Sequence, residues 1–258
     1  MTFDGTTRPP LRWHHSTTEL DDFAIITYRV TAEAVARHLP EGFEPEEFAF
    51  EDGTTGALVS AVVFRDRDYH FRFFRPVSIT CGQINYRTYV RAHGEPGVWF
   101  FGTSLDHPLV VVPKLLWQMP WRRSRISIAG VWDGTPAHWQ MTAVDASDES
   151  HCELVEQPGP LGPLDGFLEV ADVLRTLTHP TAGWYRRRDG DVGSYTIWHP
   201  VMDARRFRVE AARFTFLERL GLITADAVPH SALAQQTIHF DVHTPPRRQA
   251  RPTRATRP

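Results

Sequence analysis

The chain has 258 residues, 28 basic against 31 acidic side chains and 41% hydrophobic content, enough apolar material for one sizeable core and a length that a single all-β unit commonly reaches. No apolar run approaches the roughly 20 residues that cross a bilayer, and Met1 to Pro10 lack the charged-then-apolar order of a secretion signal, so a cytoplasmic protein with no membrane partner is expected. Thr244 to Pro258 carry five arginines and no acid, leaving 23 basic against 31 acidic, −8, for the rest, and an acidic body opposes a polyanion, so no nucleic-acid partner is expected.

Residues 1–12 are polar and Pro-rich and read as a flexible arm. Phe23 to Tyr28 is β-branched and aromatic, predicting a strand, and Thr31 to Leu39 has helical spacing with a Thr31 cap before Pro40. Ala57 to Phe64 predicts a buried strand, and Phe71 to Phe74 is an aromatic stretch before Pro76. Ile84 to Arg91 and Val98 to Gly102 predict a hairpin closed by His93 to Gly97. Ser124 to Val131 and Ala137 to Val144 follow as strands around Asp133 to Pro136. Gln157 to Gly166 breaks the pattern, Phe167 to Leu177 predicts a helix, Ala204 to Leu220 is mixed, and Ser194 to His199 and Thr237 to Val242 predict strands. The Pro/Arg/Thr tail from Thr244 has nothing to bury and reads as disordered. Many short strands with few helices favour a β-rich barrel or sandwich, with residues 13–243 as one domain.

Cys81 and Cys152 match no CxxC spacing, and no GxGxxG, P-loop or GxSxG motif is present. Alternation would put His239, Asp241 and His243 on one strand face, a geometry open to a metal or to a solvated strand edge; His14 and His15 are a weaker pair. No cofactor and no resident metal is assigned.

Lysine is the most informative count. Of 28 basic residues 27 are arginine, and the one lysine, Lys114, sits in Leu109-Val-Val-Val-Pro-Lys-Leu-Leu-Trp117. Arginine keeps its proton, whereas a desolvated amine can lose it and attack a carbonyl. The alternative is a lysine that extends to solvent with its stem packed on Trp117.

The blocks Gly82 to Val90, Gly94 to Phe101, Leu105-Asp106 and Val112 to Leu116 resemble the acetoacetate decarboxylase superfamily, and within it a large uncharacterised bacterial branch. Weaker similarity extends over Trp13-His14, Tyr28-Arg29 to Gly42, and Ile197 to Pro200. The resemblance implies a β-rich α+β protein, an acetoacetate decarboxylase-like closed β-barrel or cone with a few peripheral helices, and homo-oligomers occur in that superfamily. It implies that Lys114 forms a Schiff base with a small-molecule oxo-acid substrate. Departures are Leu115 where a second lysine often stands, Asp106-His107-Pro108 before the lysine, and Gln83 where the decarboxylases carry a pocket glutamate.

On the strand, Gln83, Asn85, Arg87 and Tyr89 share one face. If it lines the pocket, Arg87 grips a carboxylate while Gln83 and Tyr89 orient the carbonyl; the other arrangement has that face solvated. Lys114, Gln83 and Tyr89 are the expected catalytic residues, and Arg87, Asn85, Trp99 and His199 the expected substrate-binding ones, His199 as a proton source or a core residue. The expected function is a lysine-dependent lyase for a small or biosynthetic oxo acid, by decarboxylation or aldol and dehydration chemistry. Its rival is a non-catalytic small-molecule-binding barrel, followed by a metal-dependent enzyme.

Overall fold

In the computed structural model, residues 7–92, 94–108 and 111–249 are described, without the side chains of Val112 and Pro113. The strands are β1 (Ser16–Val30), β2 (Phe43–Pro45), β3 (Phe48–Ala49), β4 (Thr55–Phe71), β5 (Ile79–Ala92), β6 (Glu95–Leu105), β7 (Trp121–Arg123), β8 (Arg125–Val131), β9 (His138–Val144), β10 (Glu149–Glu156), β11 (Ala182–Arg186), β12 (Val192–Trp198), β13 (Arg205–Phe214) and β14 (Ser231–Gln249). The helices are short: α1 (Ala32–Ala36), α2 (Val111–Leu116), α3 (Val170–Val173), which runs into a π-helical turn at Leu174–Thr178, and α4 (Thr215–Arg219).

Seven strands close on themselves in the order β1-β4-β5-β6-β11-β12-β14, with β14 pairing back to β1. This is the closed, β-rich barrel expected. From β14 an antiparallel extension, β13-β10-β9-β8, folds against the outside of the barrel. Period-2 alternation explains both layers. On β4 the odd residues Ala57, Val59, Ala61 and Val63 join Trp139, Met141 and Phe214 in the core between barrel and extension, while Val62 and Phe64 point the other way, toward Leu20, Phe23 and Phe240. Each such buried aliphatic or aromatic side chain contributes roughly 1.5–3 kcal/mol. One end of the barrel is filled by a second cluster with Phe48, Phe50, Leu164, Val173, Leu177 and Leu233.

The predicted hairpin forms with β5 antiparallel to β6, but its turn is tighter than expected, because β6 already begins at Glu95. His93, in that turn, lies outside the described residues. Gly97 is therefore a strand residue, and a Cβ there would lie 2.7 Å from the Ala182 carbonyl oxygen, so only glycine lets β11 approach. Thr31 caps α1 as predicted, its Oγ1 accepting from the Ala34 amide. Two corrections follow from tertiary pairing. The helix expected over Phe167 to Leu177 is confined to α3 and the π turn. The tail expected to be disordered from Thr244 continues as β14 to Gln249, since Arg247, Arg248 and Gln249 pair with Ser194, Gly193 and Val192; residues 250–258 lie outside the described residues.

Candidate functional site

A cavity of about 130 Å3 occupies the barrel interior. β5 delivers Gln83, Asn85 and Arg87 to it, because alternate residues of a strand share a face and Ile84 and Tyr86 on the other face are committed to the core. The pocket-lining arrangement of this face, rather than the solvated one, is therefore what forms. Gln83 Nε2 donates to Asn85 Oδ1 at 3.0 Å and Thr103 Oγ1 donates to the same oxygen at 2.8 Å, which leaves the Asn85 amide nitrogen as a donor. Arg87 is 6% exposed. Its Nη2 donates to the Leu177 carbonyl at 2.6 Å, a contact supplied by the π turn, while its Nε is buried without a hydrogen-bond partner among the described residues. A buried cation with an unused donor is poised for an anion.

The fourth residue of that face does not reach the cavity. Tyr89 lies beyond Arg87 along the strand, where its hydroxyl is 2.8 Å from Ser60 Oγ, itself 2.9 Å from Thr27 Oγ1. It lines a wider outer cleft of about 1350 Å3 that also includes Glu46, Arg91 and His179. The Arg87 guanidinium sits 5.7 Å from the Tyr89 ring, so Tyr89 backs the arginine. Trp99 points away from the interior, on the face of β6 opposite Phe100, and packs on Phe43 with ring centres 5.1 Å apart. His199 is 1% exposed, stacked on Phe240 at 4.3 Å, with Nδ1 2.8 Å from the Pro200 carbonyl. Burial lowers its pKa to about 3, and neither Trp99 nor His199 lines the cavity.

Lys114 lies on α2, between β6 and β7 in the chain. The following residues Trp117, Met119 and Trp121 line the cavity, but Lys114 does not; it is half-buried, next to exposed Leu115 and Leu116.

Sequence reasoning missed Asp66. β4 continues seven residues past the predicted Phe64, and its alternation turns Asp66 inward with Val62 and Phe64 while Arg65 and Arg67 turn outward. The side chain accepts from Thr18 Oγ1 at 3.1 Å, and burial pushes its pKa up to about 7. Asp66 is therefore substantially a neutral acid at neutral pH, able to donate a hydrogen bond or a proton. Tyr69, whose hydroxyl accepts from Ser16 Oγ at 2.8 Å and is pushed up to about 12 by burial, lines the same end. The signal for Asp66 was the alternation through Arg65-Asp-Arg67, masked by its charge, whereas Tyr69 reaches the cavity because an irregularity between Asp66 and Tyr69, with Asp68 at φ 57°, breaks that alternation.

The histidine strand has a different occupation. His239 joins Glu19 at 2.7 Å and Asp241 at 3.0 Å, and Arg8 Nε donates to Asp241 at 2.8 Å. His243 is 2.8 Å from Thr196 Oγ1. Among the described residues no group of three or more His, Cys, Asp or Glu side chains is placed to hold a metal ion. Both cysteines are free and buried, which pushes their thiols up and removes them as nucleophiles. Among the described residues no helix is long and apolar enough to cross a membrane.

Solved structures with this architecture are acetoacetate decarboxylase-like proteins. The enduracididine biosynthesis enzyme MppR, in complex with the condensation product of pyruvate and imidazole 4-carboxaldehyde, is 12% identical, with 92% of this chain and 90% of that chain covered and a TM-score of 0.61. An acetoacetate decarboxylase-like enzyme from Sphingomonas wittichii RW1 is 11% identical over 93% and 94%, with a TM-score of 0.63. Acetoacetate decarboxylase from Legionella pneumophila is 14% identical over 96% and 94%, with a TM-score of 0.58. None of the curated proteins matches the chain. The fold is thus acetoacetate decarboxylase-like, and, with residues 17–239 matched by the family model, the chain belongs to DUF2071, a family of uncharacterized conserved proteins.

Proposed function

We propose that the chain is a lyase that holds a small oxo acid inside the barrel. The observation that carries this reading is Arg87, a buried guanidinium whose Nε has no hydrogen-bond partner among the described residues, in the lining of a cavity that also holds two side-chain amides. A carboxylate takes the Arg87 donors, and the Gln83 and Asn85 amides orient the neighbouring carbonyl. Asp66, protonated when substrate binds, hydrogen-bonds the carbonyl oxygen or returns a proton after bond cleavage. MppR has been solved with pyruvate bound, which agrees with an oxo acid as the ligand class for this barrel.

The amine of this reading is Lys114. It attacks the carbonyl, water leaves, and the resulting iminium withdraws electrons from the adjacent bond, permitting loss of CO2 or aldol and dehydration chemistry. Lys114 stands outside the cavity lining, close in sequence to the lining residue Trp117, so this chemistry requires α2 to turn inward over bound substrate. Borohydride reduction in the presence of 2-oxo acids, followed by peptide mass mapping, tests it. The expected result is substrate mass on Lys114; unmodified Lys114 while the oxo acid binds would remove the lyase.

A second reading has one observation in its favour, the position of Lys114 outside the cavity lining. In that case the barrel binds an oxo acid without converting it, and Lys114→Arg leaves affinity unchanged.

A further inference from the structure

Polar groups are most concentrated on β5, although Thr18, Asp66, Thr178 and Thr244 also line the cavity. β5 supplies Gln83, Asn85 and Arg87, whereas β1, β12 and β14 supply Leu20, Phe23, Ile197, Phe240 and Val242. The pairing of Gln83 with Phe64 and of Arg87 with Ser60 sets the arginine four residues farther along the strand. The lining thus extends about 13 Å along β5, with Gln83 toward one end and Arg87 toward the end that borders the outer cleft at Thr178.

The apolar surface does not stop at the cavity. Tyr69, a lining residue near the end of β4, meets Phe71 with ring centres 5.9 Å apart; Phe71 meets Phe73 at 5.5 Å, and Phe73 meets Trp13 at 5.6 Å. Trp13 is 70% exposed and Phe73 57%. A series of neighbouring aromatic rings that runs from the cavity lining to solvent-exposed Phe73 and Trp13 is surface a folded protein does not retain for its own stability.

We propose that the ligand is an oxo acid with an unbranched apolar chain long enough to span the eight residues of β5, about 26 Å, between Arg87 and the partner of Tyr69, its carboxylate at Arg87 and its chain leaving the barrel along Tyr69, Phe71, Phe73 and Trp13. This rests on the oxo-acid reading above and adds the chain to it. The exposed arginines Arg72 and Arg75 flank the outer rings, with no acid between Phe71 and Ser78. A two-fold contact between two copies through this patch would bring those like charges together, whereas an apolar chain lying on the rings leaves them solvated.

Calorimetric titration of the full chain with straight-chain 2-oxo acids of four, ten, sixteen and twenty-two carbons, and with fatty acids of the same lengths, tests the proposal. Affinity is expected to rise about fourfold per buried methylene. Trp13→Ala and Phe73→Ala, both at exposed positions, should flatten the steps beyond sixteen carbons and leave the four-carbon affinity within twofold. Length-independent binding of 2-oxo acids overturns the chain and leaves the oxo-acid reading standing. Failure of every 2-oxo acid to bind overturns both. Fatty acids binding as tightly as 2-oxo acids at each length would uphold the chain and remove the oxo group. Self-association abolished by Trp13→Ala, with unchanged length dependence, would make the patch an interface between copies and overturn the proposed track.

Discussion

β5 and α2, which the proposed function joins at one cavity, are held differently. β5 is fastened on both sides, to β4 from Val59 to Tyr69 and to β6 along its length, and its outward residues Ile84 and Tyr86 are locked in the core. α2 is six residues long, with Val111, Leu115 and Leu116 exposed. Groups on β5 are held in one geometry, which suits recognition of a fixed charge. In the proposed function the barrel separates a grip on β5 from an amine on α2 that acts after binding.

The largest expected effect divides these two roles. Lys114→Ala should lower turnover of an oxo-acid substrate by about 10³-fold or more, while the affinity for that acid changes less than about threefold, as read by steady-state kinetics beside calorimetry. If turnover survives, α2 leaves the chemistry and β5 carries the site alone.

Asp66 sharpens the grip from the side of stability. Its folded pKa is raised to about 7 from 3.8. Below the lower value both states hold the proton and the group contributes nothing. Between the two values the unfolded chain releases a proton that the folded chain keeps, so stability falls as pH rises, and above 7 the full penalty is present. Asp66→Asn keeps an oxygen for Thr18 and should stabilise the protein by roughly 2–4 kcal/mol at pH 8, with little change at pH 4. Urea unfolding at the two pH values measures it. His199, lowered to about 3, acts in the opposite sense, losing stability as pH falls from 6.5 toward 3, but it is common to both proteins and cancels in the difference. Equal stability of the two proteins at pH 8 would mean that Asp66 is not buried as an acid.

A smaller effect tests the cation itself. Arg87→Gln retains a donor for the Leu177 carbonyl and removes the charge, and a charge-assisted hydrogen bond contributes about 1.5–3 kcal/mol. Oxo-acid affinity should therefore fall roughly 10- to 100-fold, with uncharged ketones affected about threefold or less. Equal losses for acid and ketone would show that the arginine shapes the wall instead of pairing with the carboxylate.

What the sequence made legible follows the same division. A strand has a two-residue period, so one correct inward residue on β5 orients Gln83, Asn85 and Arg87 together. The period does not mark where along the strand the lining ends, which is why Tyr89 was placed with them although it lies beyond Arg87 against Ser60. Trp99 and His199 were attractive as residue types, but the first is on the opposite face of β6 and the second is sealed against Phe240. Asp66 was hidden because Arg65-Asp-Arg67-Asp68 has the composition of a loop, while barrel closure extends β4 through it. The same closure recruits Arg247 to Gln249 from a segment whose composition signals disorder. For α2, a Pro-containing apolar run has no period long enough to specify where Lys114 points.

Thr31 provides the smallest test, at a helix whose start was visible in the sequence. α1 has five residues, and its Thr31 Oγ1 accepts from the Ala34 amide at 3.2 Å, one of the four amide donors that a helix start leaves unpaired. Thr31→Ala removes that acceptor and should destabilise the protein by about 1 kcal/mol, seen as a lower urea midpoint with an unchanged slope. Because α1 anchors Val35 in the core between barrel and extension, far along the chain from β5, oxo-acid affinity should remain within experimental error. A loss of affinity comparable to that of Arg87→Gln would mean that the grip on β5 depends on the outer layer, and the separation between the grip on β5 and the amine on α2 would have to be redrawn.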